Sequence, residues 1–116
     1  MVKHESDMQQ EIRTQMRGGE GEVEILHILK KEEVKGKTRL IARIRLKAGC
    51  SVGFHRHEQE EEIYYILSGK GQVDDNGKVL DIGPGDVIHT GDGAGHAIAN
   101  TDSDPLEFMA IILLYG

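Results

Sequence analysis

The chain has 116 residues, 34 of them charged, with 15 glycines, two prolines, five aromatic residues and one cysteine. Domains cluster at about 100–150 residues, so this is one domain with one core; lone Cys50 excludes a disulfide framework and suits a reducing compartment such as the cytoplasm. The net charge of −6 divides into 12 Lys/Arg against 8 Asp/Glu over residues 1–56 and 2 against 12 over residues 57–116, a balance that places basic strands beside acidic ones and argues against nucleic acid as a partner.

Residues 1–20 are polar and end at Gly18-Gly19, with only Met8, Ile12 and Met16 spaced for a weak amphipathic turn. They read as an arm that orders by docking on a neighbour. Met1 to Glu11 lack the apolar stretch of a secretory leader, and no later run approaches the ~18–20 apolar residues that span a bilayer, so no membrane is expected as a partner. From residue 21 to 116 short apolar runs are cut by turn residues every eight to twelve positions, the cadence of an all-β sandwich or barrel.

The clearest strand is Thr38 to Lys47: Leu40, Ala42, Ile44 and Leu46 alternate with Arg39, Arg43, Arg45 and Lys47, one face for a core and one for water. Asp75-Asn76-Gly77 separates two short runs and predicts a hairpin, because Asn-Gly accepts positive φ at both central positions. In the last strand, Leu106 to Tyr115, Leu106, Phe108, Ala110, Ile112 and Leu114 line one face, while Met109, Ile111 and Leu113 line the other. Both faces want cover, which predicts a partner, most simply a second copy in a two-fold homodimer.

Four side chains carry the chemistry. His55 and His57 stand two apart, so on a strand they share a face about 6.5–7 Å apart and can reach one metal ion at ~2.0–2.2 Å. Glu62 follows after a polar stretch that can turn the chain, and His96 follows a glycine-dense loop. Three imidazoles and one carboxylate make a ligand set with room for exchangeable positions.

At these residues the chain resembles the cupin superfamily. The family's first motif is matched by Gly49-x5-His55-x-His57-x4-Glu62-x6-Gly69, and its second by Gly85-x5-Gly91-Asp92-Gly93-x2-His96-x3-Asn100, with Gly91 where the family has proline. The resemblance implies a double-stranded β-helix, a jelly-roll barrel, whose mouth holds a divalent metal on His55, His57, Glu62 and His96. Small members of the family are often dimers, and its chemistry spans isomerases, lyases, decarboxylases, dioxygenases and proteins that only bind sugars.

Mixed nitrogen and oxygen donors suit Mn, Fe, Co, Ni, Cu or Zn better than Mg or Ca. A divalent ion with three neutral histidines and one carboxylate leaves a net charge of +1, which attracts a small anionic ligand and can polarise its oxygens. Tyr64 shares a face with Glu62 and is a candidate acid or base; His89 is a second candidate if Val87 points into the barrel. Two functions fit: a metal-dependent enzyme acting on a small oxygenated anion, or a non-catalytic module that binds or senses a sugar or carboxylate. Arg56, Arg43 and Arg45 read as surface, Asn100 as a turn residue, and His27 as unremarkable.

Overall fold

A computed structural model describes all residues, Met1–Gly116. Ten strands form two sheets: β1 (Gln9–Thr14), β2 (Glu22–Leu29), β3 (Thr38–Leu46), β4 (Ser51–Arg56), β5 (Glu60–Ser68), β6 (Gly71–Asp75), β7 (Lys78–Ile82), β8 (Val87–Gly91), β9 (Gly95–Ala99) and β10 (Leu106–Leu114). One sheet has the order β1-β2-β3-β10-β5-β8 and the other β4-β9-β6-β7, with every pairing antiparallel. This is the all-β architecture that the strand cadence predicts and the jelly roll that the resemblance implies.

The core lies between the sheets. Alternate residues of β2 (Val23, Ile25), β3 (Ala42, Ile44, Leu46) and β10 (Leu106, Phe108, Ala110) meet Val52, Val73 and Ile98 of the smaller sheet. The expected inward face of β3 is confirmed from Ala42 onwards. Asn76 and Gly77 both have positive φ, 51° and 100°, as a tight β6–β7 hairpin requires. Asn100 fixes a turn: its Nδ2 donates to the carbonyls of Leu46 (2.9 Å) and Asp104 (2.8 Å), and its Oδ1 accepts from Asp102 N–H (2.9 Å).

The first 20 residues dock on the larger sheet. Gln9–Thr14 add β1 to the edge of the larger sheet, paired with β2 from Gln9↔His27 to Thr14↔Glu22. The strand is held by backbone hydrogen bonds and leaves Ile12 exposed, so no alternating apolar pattern announces it. Strand β1 does not cover β10, from which β2 and β3 separate it. The outer face of β10 (Met109, Ile111, Leu113) therefore stays half-buried beside Ile41 and Ile63, with exposed Tyr65 nearby. Charge pairs cross the sheet as expected, Arg39 of β3 with Glu60 of β5 and Arg45 of β3 with Glu107 of β10 at 3.8 Å, while Arg43 pairs with Glu5 in the turn before β1.

Candidate metal centre

A bulge decides where His55 points. Val52 opposes Ile98 and His55 opposes His96, so Gly53 and Phe54 together face the single residue Ala97. Strict alternation from buried Val52 would send Phe54 and Arg56 inward; the extra residue sends His55 and His57 inward instead. Phe54 turns outward, where the Arg56 guanidinium covers its ring. His96 enters from β9 and Glu62 from β5, on the same face as Tyr64 and Ile66.

The four expected ligands converge. Their ligand atoms all lie within 4.8 Å of one another. His96 Nε2 is 3.0 Å from His57 Nε2 and 3.2 Å from His55 Nε2. Glu62 Oε1 is 2.9 Å from both His57 Nε2 and His96 Nε2, and 3.9 Å from His55 Nε2. Neighbouring donors around a transition ion with bonds of ~2.1 Å stand about 3.0–3.5 Å apart, whether octahedral or tetrahedral, so the cluster fits such an ion. A second observation agrees: Glu62 Oε1 is buried and has no hydrogen-bond partner. A buried, unpartnered carboxylate oxygen facing three ring nitrogens is costly unless a cation completes the group.

Each imidazole is also fixed from behind. His55 Nδ1–H donates to Gly53 O at 2.8 Å, His57 Nδ1–H to Glu60 Oε2 at 2.5 Å, and His96 Nδ1–H to Thr90 Oγ1 at 2.9 Å. With all three Nδ1 positions engaged, the three Nε2 lone pairs face the common centre. Glu60 is held in turn by Arg39, whose Nε and Nη2 donate to its two oxygens at 3.0 and 2.8 Å. Gly91, standing where the resembled motif has proline, is required here: a Cβ would lie 2.8 Å from Glu61 Cβ and 2.9 Å from the Tyr115 hydroxyl. The loop it opens is tied to the ligand strand by Gly93 N–H to His57 O (2.9 Å) and His57 N–H to Ala94 O (3.0 Å).

The titrations are coupled through Glu62. Burial pushes its carboxyl up, but the His55, His57 and His96 imidazoles facing it outweigh that and hold it well below the usual carboxylate range. Burial lowers His57, yet Glu62 and Glu60 together raise it above 6.5; in His96 burial prevails and lowers it. Tyr64 stacks on His96 at 4.7 Å with an interplanar angle of 12°. Burial first, then the Glu62 carboxylate, lift its phenol well above 10.

His89 does not join the cluster. It opposes Ile63 across the β5–β8 ladder, while its neighbour Thr90 opposes Glu62. Directly opposed residues share a face, so Thr90 points in and His89 out, with its side chain 60 % exposed and bonded to Glu61 at 2.7 Å. Val87, whose inward orientation the expectation required, is likewise exposed.

A cavity of about 140 Å³ opens on the cluster, lined also by Arg13, Met16, Arg17, His27, Arg39 and Leu40. Pattern reading passed over these residues. His27 was accessible to parity, since Val23, Ile25 and His27 share a face. Arg39 was not: Ile112 opposes Leu40 and Leu113 opposes Thr38, so Arg39 is a bulged residue freed from the alternation of its strand.

The cupin domain family model matches residues 42–112. The chain belongs to the cupin family. It is 51 % identical over 114 residues to an oxalate-binding protein of Thermotoga maritima, covering 98 % of this chain and 94 % of that one. A crystal structure of a predicted oxalate decarboxylase from Thermotoga maritima superposes with a TM-score of 0.93 at 51 % identity, covering 98 % and 99 % of the two chains. The polyketide cyclase RemF from Streptomyces resistomycificus shares the fold (TM-score 0.79, covering 100 % and 81 %) at 19 % identity. No helix of this cupin is long and apolar enough to cross a membrane.

Proposed function

We propose that this cupin binds a small carboxylate-bearing anion, with oxalate as the first candidate, at a divalent transition ion held by His55, His57, Glu62 and His96. The observation that carries this reading is the convergence of three Nε2 atoms and an unpartnered Glu62 oxygen at the base of a cavity bordered by arginines. The relative of 51 % identity that bears the name of an oxalate-binding protein supports the ligand class. When bound, the ion supplies Lewis-acid attraction for ligand oxygens and leaves the centre a net charge of +1. The chain supplies the rest. Tyr64, stacked on His96, lines the cavity together with Leu40 and Met16, and Arg39 steadies His57 through Glu60. A cavity of this size holds a molecule of about six heavy atoms, such as benzene, and oxalate has that number.

The second reading is turnover: isomerase, lyase, decarboxylase or dioxygenase chemistry at the same centre. It is favoured by two groups at the cavity that can carry protons. His27 bonds Glu11 at 2.7 Å, and Tyr64, with its raised pKa, keeps its proton and serves as a donor. Elemental analysis of protein purified without added metal, followed by calorimetric titration with oxalate before and after chelation, tests the first reading. Oxalate binding only to the metal-loaded form is expected, and equal binding after chelation sinks it. Formate release from oxalate, lost in Tyr64→Phe, marks turnover.

Two further features complete the proposal. The half-buried apolar face of β10 supports a homodimer, and the free Cys50 thiol supports a cytoplasmic location.

A further inference from the structure

Apart from the ligand histidines, four side chains bordering the cavity can be cationic, and three already have acidic partners. Arg13 pairs with Glu11 at 3.0 Å, His27 with the same carboxylate at 2.7 Å, and Arg39 forks onto Glu60. Arg17 alone has no carboxylate within 4.0 Å and no side-chain hydrogen bond, although it lines the same cavity.

The backbone around Arg17 is unusual. Its φ and ψ are 56° and 29°, with Gln15 (φ 50°) and Gly18 (φ 80°) also in the left-handed region. That conformation is unfavourable for a residue with a Cβ and persists only where its surroundings enforce it. Here they do. Gly18 N–H donates to Gln15 O and Gly19 N–H to Met16 O, both at 3.0 Å, and Glu20 exchanges bonds with Ser51 at 2.8 and 2.9 Å. The turn seats on β4 so closely that a Cβ on Gly53 would lie 2.1 Å from Arg17 O, and one on Gly19 2.3 Å from Ser51 O. The strand that carries His55 and leads into His57 is thus the one that fixes the Arg17 turn.

We propose that Arg17 binds the second anionic group of the ligand, so that the site selects short two-headed anions, oxalate and similar dicarboxylates or α-oxo carboxylates, over monocarboxylates. This rests on reading the cluster as a metal-dependent carboxylate site. One anionic group meets the net positive charge at the cluster; the other meets the sole unpaired guanidinium at the mouth, whose fork suits a carboxylate. The 140 Å³ cavity keeps the two ends close together, which excludes long diacids.

The test is calorimetric titration of oxalate and of formate into the Mn2+-loaded protein and its Arg17→Gln variant. Arg17 is exposed, so the variant retains the fold. Oxalate affinity is expected to fall at least tenfold while formate affinity and Mn2+ affinity stay within about twofold. Unchanged oxalate affinity in Arg17→Gln, or equal losses for oxalate and formate, overturns the role of Arg17. A metal-loaded wild-type protein that takes up no oxalate overturns the underlying carboxylate reading instead.

Discussion

Replacing Glu60 by glutamine tests how the centre is held without touching a ligand. Glu60 Oε2 accepts the His57 Nδ1 proton at 2.5 Å, and both its oxygens receive the Arg39 fork. A glutamine keeps the shape but can satisfy only one side, because its amide group presents hydrogens to the guanidinium. Loss of a carboxylate behind a metal-binding histidine typically costs tenfold to a hundredfold in metal affinity, about 1.4–2.8 kcal/mol. The two arms should not weigh equally. The His57 side chain is only 2 % exposed, whereas Arg39 is 43 % exposed, so most of the loss comes from the His57 contact and Arg39→Met costs less than tenfold. Competition for Zn2+ against a chromophoric chelator measures both variants. A second signature accompanies the first. Burial lowers the His57 pKa while Glu62 and Glu60 raise it above 6.5, so removing the Glu60 charge lets it drop. Proton competition then weakens, and the pH at which Zn2+ affinity falls to half its own plateau value moves down. Zn2+ affinity within twofold of wild type in Glu60→Gln, or a loss in Arg39→Met equal to that in Glu60→Gln, refutes the reasoning.

Metal should stabilise the fold by mass action, about 2.7 kcal/mol at a hundredfold excess over Kd, or roughly 10 °C in Tm for a domain of this size; His96→Ala should abolish that rise in a thermal scan. In metal-free protein, Glu11 (lowered chiefly by Arg13), Glu60 (chiefly by Arg39) and Glu62 all titrate below 4.5 when folded. Their stabilisation is complete above that unfolded value and is lost as pH falls through the folded ones, so urea midpoints should decline steeply below about pH 4.5. Between pH 7 and 5 the raised His57 adds stability on acidification while the lowered His96 removes it, and the midpoint should change little. If the outer face of β10 joins two copies, Ile111→Glu should convert a dimer to a monomer in sedimentation velocity, with the barrel still folded because Ile111 lies outside the buried core.

What the sequence determined by itself was whatever obeys a local period. The alternation in β3, the Asn-Gly hairpin and the spacing of His55, His57, Glu62 and His96 were legible because side chains two apart share a face and positive φ selects its own residues. The tertiary structure decided everything that depends on what lies opposite. The bulge in β4 keeps both histidines inward, the bulge in β3 turns Arg39 to the cavity, and the β5 register sends His89 out and Thr90 in. Strand β1 formed from a polar segment because the edge of β2 offered unpaired backbone groups, and that pairing carried Arg13 to the cavity. Bulges, registers and edge pairings are set by hydrogen bonds between residues far apart in the chain, and no window of neighbouring residues contains them.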